Sequence, residues 1–434
     1  MSAAPESSSR RASLVSVLVV AGVSALASAL WVTFVRSAPY SDYRAYWTAA
    51  ESLAAGTGYR YLGHISAYWP PGYPLVLSVP FMVFGASMTV VKVLNVILHV
   101  AASVLAWSFA RRIMGAGWAL FAGLCVGVWP TLLFYTGVPA SENLFIPLLM
   151  GCLLLLARWT QDPTATGRVA GGAGLLLGLA ILTRVTAKAL PFVFVLMLIA
   201  YGRDRRAMKA ALLFGLGCAL ALAPWVVRNM VVSGHPVLTT NGGINLLIAN
   251  NPEATGGYSI EGLAALPRAE NIEDELLADK EYSRQALRHL AADPSSMIGL
   301  VPAKVRALLE PEWIVEGQTR PWFRPNDPVS EPAALWPGME SRLRFRGIRF
   351  EESLPWSRVA LVILSVLAGV VALRKRDIAV AFPLVVVIYW LVLHISFGFG
   401  APRYLVSIVP LMLLLAVYAA GAVIAPHLRK REAE

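Results

Sequence analysis

The sequence predicts an all-α polytopic membrane protein with about ten transmembrane helices, outer juxtamembrane helices and one large extracytoplasmic loop domain. Of its 434 residues, 57% are hydrophobic and only 15% are charged, and the mean hydropathy is +0.61. A water-soluble domain of this length does not need so apolar a composition, whereas a chain solvated by lipid does. Apolar runs of about 20 residues, enough to cross a hydrocarbon layer of about 30 Å, recur along the chain.

These runs define ten predicted spans, which short and mostly basic stretches separate. The spans cover residues 13–35, 87–110, 117–136, 142–158, 168–183, 187–201, 207–230, 356–373, 378–397 and 402–425. The first run follows Arg10 and Arg11 and is too long for the core of a signal peptide. We therefore interpret it as an uncleaved anchor.

The positive charge is distributed unequally between the two sides of the predicted spans. With the N-terminus in the cytoplasm, the inner segments carry most of the formal net charge of +11. This asymmetry predicts a multi-pass protein of the plasma (inner) membrane with cytoplasmic tails at residues 1–12 and 426–434. Orientation and contact with anionic lipids explain the basic charge, and the sequence contains no nucleic-acid-binding motif.

Two predicted outer segments are too long to be simple connections, so we expect function there. The first, residues 36–86, interrupts a transmembrane core of residues 13–230. The second, residues 231–355, is a predicted extracytoplasmic loop domain that precedes the C-terminal transmembrane helices of residues 356–425.

Local patterns predict some structure inside these two segments. The aromatic residues that follow Ser41 indicate a helix along the membrane surface, and residues 75–85 form an apolar stretch too short to span. In the second segment, residues 272–291 and 295–309 have helical spacing, the latter with Lys304 and Arg306 docked on the membrane or on the spans. Residues 311–356 are rich in Pro, Trp and Arg, and we expect an irregular, ordered loop there.

Five basic residues lie near the outer boundary of the predicted spans, where the orientation rule does not favour positive charge. They are Lys92, Arg184, Lys188, Arg228 and Arg403. Simple interfacial anchoring is one explanation. Anion binding is the favoured one, because the phosphate of a membrane lipid is the natural anion at that depth.

Two acids, Asp42 and Glu142, are predicted at the same membrane level. A carboxylate held among aromatic residues near the bilayer boundary suits general-base catalysis. The alternative is an ordinary loop acid or helix cap, since Ser141 and Glu142 also have the pattern of a helix start. His64 and His235 stand alone without a metal-binding spacing, which favours roles other than metal ligation.

Seven short motifs follow one another along the chain in a recognisable order and placement. They are Asp42 with the aromatic residues after it, Tyr68-Trp69-Pro70-Pro71-Gly72-Tyr73-Pro74, Ser141-Glu142, Leu182-Thr183-Arg184, Pro224-Trp225-Val226-Val227-Arg228-Asn229, Asn250-Asn251-Pro252 with Gly256-Gly257-Tyr258, and Pro402-Arg403-Tyr404. In these motifs the chain resembles the polytopic lipid-donor glycosyltransferases of the GT-C class, in particular the protein mannosyltransferase and aminoarabinose transferase group.

The resemblance implies an inverting transfer of sugar from a polyprenyl-phosphate donor to an acceptor hydroxyl at the extracytoplasmic face. Asp42 would be the general base, and Glu142 a second acid that positions acceptor, donor or metal. The five outer cations would bind the donor phosphate. Substrate-binding roles would fall to Tyr43, Tyr46, Tyr68, Trp69, Tyr73, Asn250, Asn251, Tyr258 and Tyr404. No cofactor is certain, and a divalent metal is left open.

The sequence departs from the family at one motif, which bears on the acceptor. Protein mannosyltransferases place two adjacent acids after the first span, whereas here Tyr43 follows Asp42. The acceptor can be a lipid, a glycan or a protein. The missing second acid makes a protein acceptor less favoured than a lipid, a glycan or a cell-envelope polymer. The alternatives are a transporter or flippase of a lipid-linked sugar and a receptor, but charges at the outer edge rather than the bilayer midplane favour an enzyme.

Overall fold

A computed structural model describes residues 4–34, 42–260, 263, 269–309, 355–375 and 377–431 of the chain. The start of the predicted first outer segment, up to residue 41, and nearly all of the irregular loop expected over residues 311–356 lie outside these ranges. The first outer segment from Asp42 onward and most of the second up to Leu309 are described.

The described residues are mostly helical, and the N-terminal half contributes ten α-helices. They are α1 (Ala4–Phe34), α2 (Asp42–Ala54), α3 (Gly72–Phe84), α4 (Met88–Ile113), α5 (Ala116–Val128), α6 (Pro130–Thr136), α7 (Glu142–Gln161), α8 (Gly167–Thr183), α9 (Leu190–Gly202) and α10 (Arg205–Ser233). Between α2 and α3, two short antiparallel strands, β1 (Arg60–Tyr61) and β2 (His64–Ile65), pair Arg60 with Ile65.

Eight further helices follow in the C-terminal half. They are α11 (Gly242–Ala249), α12 (Ile272–Ala292), α13 (Pro294–Gly299), α14 (Val301–Leu309), α15 (Pro355–Lys375), α16 (Ile378–Ser396), α17 (Pro402–Val406) and α18 (Val409–Arg431). Helices α12 to α14 occupy the two stretches of the second outer segment for which the sequence predicts helix.

The predicted all-α polytopic fold is confirmed. Among the described residues, 7 helices are long and apolar enough to cross a membrane, and α5 with α6 makes an eighth span that bends by 50°. The predicted fifth span is the shorter apolar helix α8, and the predicted tenth is divided into α17 and α18. The count of ten is thus reached only when these shorter helices are included.

The bend between α5 and α6 follows from Pro130 and is stabilised by polar residues of α4. Trp129, the residue before the proline, is extended, as the ring of the next residue requires. Two side chains four residues apart on α4 bond backbone carbonyls on either side of α6. His99 Nε2 lies 3.0 Å from Gly127 O, just before the break, and Asn95 Nδ2 donates at 2.8 Å to Val138 O, beyond the end of α6. These carbonyls account for the two buried polar side chains.

Helices α8 and α10 approach closely through glycines. A Cβ at Gly174 would lie 1.9 Å from Phe214 O, and one at Gly178 would lie 2.6 Å from Ala221 Cβ. Small residues four apart allow this backbone-to-backbone packing in membrane helices. The contact fixes the outer end of α8, where Arg184 follows the last helical residue.

Candidate active site

Four charged side chains from four elements meet at one end of the helix bundle. Asp42 begins α2, Glu142 begins α7, Arg184 follows α8, and Arg403 lies in α17. Arg403 donates from Nη1 to Asp42 Oδ2 at 2.5 Å and from Nε to Glu142 Oε1 at 2.7 Å. Arg184 Nη1 lies 2.7 Å from the same Glu142 oxygen. We call this alternating series, Asp42, Arg403, Glu142 and Arg184, the charged row.

Burial differs between the two ends of the charged row. The side chain of Glu142 is fully buried and that of Arg184 is 9% exposed, whereas those of Asp42 and Arg403 are 26% and 22% exposed. Buried charges are tolerated only when they are paired and hydrogen-bonded. The row is therefore neutralised and largely buried at its Glu142–Arg184 end, and it is more exposed at its Asp42–Arg403 end.

Both carboxylate oxygens of Glu142 are occupied. Oε1 accepts from the two arginines, and Oε2 accepts from Ser141 Oγ at 3.2 Å and Arg403 Nη2 at 3.4 Å. Ser141 precedes α7, as its pattern predicts, but its hydroxyl does not cap the helix and bonds within the row instead. The arrangement suits Glu142 to hold the two guanidinium groups and leaves Asp42 as the reachable carboxylate.

Aromatic residues of α2 surround the open end of the row. The Arg403 guanidinium lies 4.9 Å from the centre of the Tyr43 ring, a cation–π distance. Tyr46 contacts the rings of Trp69 and Tyr73 at 5.8 and 6.1 Å. Burial, with a contribution from Asp42, raises the pKa of Tyr46 to about 12. Tyr46 therefore stays a neutral hydroxyl that can donate a hydrogen bond.

The loop residues Tyr68 and Trp69 lie on the same side of the molecule as Asp42. Burial raises the pKa of Tyr68, and the charge of Asp42 and the Tyr258 hydroxyl both add to this effect. The Trp69 indole Nε1 is buried and has no hydrogen-bond partner among the described residues. The Trp69 ring contacts Tyr46 of α2, so these loop residues belong to the same aromatic group.

A second aromatic group covers the α17 side. The Tyr404 ring lies 4.3 Å from the His394 ring and 5.3 Å from Phe399, which in turn contacts Tyr258 at 5.4 Å. Tyr404 follows Arg403 directly, so this group is attached to the charged row. Tyr258 is 38% exposed and is thus the outermost of these rings.

Three of the predicted phosphate-binding cations lie outside the charged row. Arg228 donates to Ser66 O at 2.7 Å and to Tyr59 O at 3.3 Å, so it secures the first outer segment. Lys92 donates to Val32 O at 2.9 Å near the end of α1. Lys188 is exposed. Of the five predicted cations, the structure places Arg184 and Arg403 in the charged row.

Three of the predicted substrate-binding residues use their polar atoms within the protein. Tyr73 is fully buried and donates from its hydroxyl to Asn95 Oδ1 at 2.9 Å. Asn250 donates to Leu246 O and Phe397 O. Asn251 donates to Leu247 O and Ile248 O. These three side chains therefore contribute to the structure around the site through contacts within the protein.

The sequence does not single out Glu275, the residue that joins the two outer segments. Its side chain is 2% exposed and accepts from Ser66 Oγ at 2.6 Å and Thr240 Oγ1 at 2.9 Å, and His64 Nε2 lies 2.8 Å away. Glu275 stands in an acidic first turn of α12, and nothing in the sequence distinguishes it from its neighbours. It holds the chain just before Tyr68 in place.

Lys304 is docked on the helix bundle, which is one of the two placements predicted for it. Its side chain is fully buried, and Nζ donates to Asn250 Oδ1 at 3.3 Å and to Ser396 O at 3.4 Å. Both partners are uncharged. Burial accordingly lowers the pKa of Lys304 to about 8.

The candidate metal ligands do not form a cluster. Within the described ranges, no group of three or more His, Cys, Asp or Glu side chains could hold a metal ion. Arg403 lies between the carboxylates of Asp42 and Glu142 and bonds both. A metal ion bridging these two acids would have to take the place of Arg403.

A family model described as dolichyl-phosphate-mannose-protein mannosyltransferase matches residues 69–227 of the chain. This region includes Trp69, Glu142 and Arg184. Among curated proteins, none matches the chain in sequence.

Solved structures of the archaeal oligosaccharyltransferase from Archaeoglobus fulgidus share the fold. The apo form has a TM-score of 0.56 at 14% identity and covers 96% of this chain and 51% of its own. A complex with an inhibitory peptide and a dolichol-phosphate has a TM-score of 0.51, also at 14% identity, and covers 96% of this chain and 51% of its own. A complex with Zn and sulfate has a TM-score of 0.53 at 12% identity and covers 94% of this chain and 49% of its own.

The chain thus spans about half the length of the oligosaccharyltransferase that it resembles. The family model and the shared fold together confirm the predicted resemblance to the GT-C class of membrane proteins.

Proposed function

We propose that this chain is a membrane glycosyltransferase that moves a sugar from a polyprenyl-phosphate donor to an acceptor hydroxyl, with inversion at the anomeric carbon. The observation that carries the proposal is the charged row, in which a reachable carboxylate, Asp42, is paired with Arg403, and Glu142 joins Arg403 to Arg184 at the same end of the bundle. A base next to cations is what attack by a hydroxyl and departure of a phosphate require.

Asp42 is the proposed general base. The acceptor hydroxyl gives its proton to the Asp42 carboxylate while its oxygen forms the new bond to the anomeric carbon. The bond from that carbon to the phosphate oxygen breaks, and the polyprenyl phosphate leaves with the electron pair. Asp42 can act in this way because its side chain is 26% exposed, whereas Glu142 is fully enclosed.

Arg403 and Arg184 are the proposed phosphate-binding residues. Arg403 uses three of its five N–H groups on Asp42 and Glu142, which leaves two for a phosphate oxygen. The Arg184 Nε–H is buried and has no partner among the described residues. Two guanidinium groups with spare donors can stabilise the charge that develops on the leaving phosphate.

Glu142 is the proposed positioning residue for both arginines. Because its two oxygens already accept bonds from Arg184 and Arg403, it orients them and neutralises part of their charge. A divalent metal remains a candidate cofactor, since a similar structure is a complex with Zn and sulfate. Transfer measured before and after treatment with a chelator, and after adding back Zn²⁺, Mg²⁺ or Mn²⁺, decides metal dependence.

The donor and the acceptor are proposed by chemical class. A similar structure binds a dolichol-phosphate and an inhibitory peptide, which supports a polyprenyl-phosphate carrier for the donor sugar. The single acid after the first span favours a lipid, glycan or cell-envelope polymer over a protein as acceptor.

The reaction is proposed to occur at the extracytoplasmic face of the plasma membrane. Glu142 begins α7, and Arg158 lies near the other end of that helix, on the face where the sequence concentrates basic residues. The positive-inside rule assigns that basic face to the cytoplasm, which puts the charged row on the opposite side.

The test is sugar transfer by the purified protein in lipid, supplied with synthetic polyprenyl-phosphate sugars and a panel of hydroxyl acceptors. We expect a glycosylated product of inverted anomeric configuration, read by NMR. Movement of intact donor across the membrane without any transfer would contradict the enzyme and favour a flippase. Product of retained configuration would contradict the single-displacement mechanism.

A further inference from the structure

A basic cavity lies at the end of the bundle opposite the charged row. A cavity of about 330 Å³ opens between α1, α4 and α7 and is lined by Ser13, Trp107, Arg111, Arg112 and Arg158. Arg158 follows Glu142 on α7 by about four and a half turns, a rise of roughly 24 Å. The cavity therefore lies at the other membrane surface and is independent of the proposed transfer reaction.

The three arginines of this cavity have no ion-pair partner among the described residues. Among the described residues, none of the three guanidinium groups has a carboxylate within ion-pair distance, and the charge of Arg158 acts unfavourably on Arg112. The one acid that acts favourably on Arg112, Asp162, already accepts two bonds from Thr164. Within the described part of the chain, positive charge therefore predominates around the cavity.

Arg206, a nearby arginine, bonds backbone carbonyls with one of its Nη groups. It donates to Trp159 O at 2.8 Å and Asp162 O at 2.9 Å, and its guanidinium lies 4.6 Å from the centre of the Trp159 ring. The cavity arginines have no such set of carbonyl acceptors among the described contacts. Orientation of the chain in the membrane explains basic residues on this face but not their concentration around one cavity.

Trp107 forms part of the cavity wall. The residue lines the cavity but is only 6% exposed. Its indole Nε1 is buried beneath the surface and does not open into the cavity. The ring therefore contributes an apolar wall beside the arginines.

We propose that this cavity binds the phosphodiester headgroup of an anionic phospholipid. Arg111, Arg112 and Arg158 contact the phosphate oxygens. Two leucines of α7 form an apolar part of the lining, which suits the first carbons of the acyl chains. Basic pockets between transmembrane helices bind such headgroups. A free phosphate offers the same oxygens but no acyl chain.

Native mass spectrometry of the detergent-purified full-length chain tests the proposal, with phosphatidylglycerol and phosphatidylcholine titrated separately. We expect the wild type to bind phosphatidylglycerol in preference. Arg158→Gln should bind it about tenfold more weakly, the effect of one lost charge-assisted hydrogen bond.

Arg168→Gln is the matched control, because Arg168 is an exposed arginine on the same predicted membrane face and does not line the cavity. It should bind phosphatidylglycerol like the wild type. Equal losses of phosphatidylglycerol affinity in Arg158→Gln and Arg168→Gln would show that only the general surface charge matters, and this would overturn the proposed binding site. Equal binding of phosphatidylcholine, or full displacement of the lipid by an equimolar amount of inorganic phosphate, would overturn the assignment to an anionic lipid.

Discussion

Glu142 is the residue on which the geometry of the charged row depends. It is fully buried between two guanidinium groups and accepts hydrogen bonds at both oxygens. Its charge balances two positive charges in surroundings of low dielectric constant, where removal of one partner is far more costly than the pair itself is favourable.

Glu142→Gln should therefore destabilise the fold and stop transfer together. Glutamine has nearly the same shape, so the loss comes from the missing charge. We expect the free energy of unfolding to fall by about 3 kcal/mol, measured by thermal unfolding in detergent. Glu281→Gln, which breaks the exposed ion pair with Arg284, serves as the control and should unfold close to the wild type. Equal unfolding temperatures for the two variants would contradict the role of Glu142.

Arg403→Lys tests the geometry of the row and keeps its charge. A lysine ammonium lacks the planar fork with which Arg403 contacts Asp42 and Glu142 at once. We expect transfer to fall about a hundredfold, the scale of one lost stabilising donor. A variant with wild-type kcat and KM would show that a simple positive charge suffices.

Lys304 gives the fold a dependence on pH. Its folded-state pKa is about 8, below the ordinary 10.5, because burial disfavours the charged form. The folded state thus binds fewer protons than the unfolded state between these values. Stability should rise as the pH goes from about 8 to 10.5 and should lose this contribution as the pH falls back. Thermal unfolding across this range, compared with Lys304→Met, measures the effect. An identical pH profile for the variant would contradict it.

At the residue level, the sequence predicts which charges share a membrane level but not which of them pair. Arg403 bonds acids that are 261 and 361 residues away in the chain, and no local pattern encodes such distances. Arg184 and Arg228 also look equivalent in sequence, since each lies at the outer end of an apolar span. Only the fold shows that Arg228 is engaged by backbone carbonyls.

Individual helices of the bundle are stabilised by small residues and by a few buried polar contacts. Glycines bring α8 against α10. His99 of α4 bonds a carbonyl just before the break between α5 and α6, and Asn95 bonds one just beyond α6. Hydropathy predicts each of these helices because lipid selects for apolar runs along the whole span. The division of the tenth span between α17 and α18 escapes that signal, because an apolar run reads the same whether or not its backbone is continuous.

Gly174→Ala and Gly215→Ala form a matched pair for the contact between α8 and α10. A Cβ at position 174 would lie 1.9 Å from the backbone oxygen of Phe214, whereas one at position 215 meets nothing within 4 Å. Alanine alone favours a helix over glycine by about 0.5–1 kcal/mol. We therefore expect Gly215→Ala to unfold at or slightly above the wild-type temperature. Gly174→Ala should unfold lower and lose transfer, since α8 carries Arg184. Equal behaviour of the two variants would contradict close helix packing there.

The whole molecule presents two different charged ends. At one end, acids and arginines neutralise each other in the charged row, and the row opens toward aromatic side chains. At the other end, the arginines of the cavity between α1, α4 and α7 stay uncompensated among the described residues. The charged row suits the proposed lipid-linked donor, which would enter from the membrane. The basic cavity suits a lipid that stays bound.

The central claim is that Asp42 takes a proton in the reaction while the arginines hold the donor. The most direct measurement compares donor binding and transfer in Asp42→Asn, with a polyprenyl-phosphate sugar as the probe. We predict that the variant binds the donor about as tightly as the wild type but transfers sugar at least about a hundredfold more slowly. Transfer at the wild-type rate by Asp42→Asn would contradict the claim.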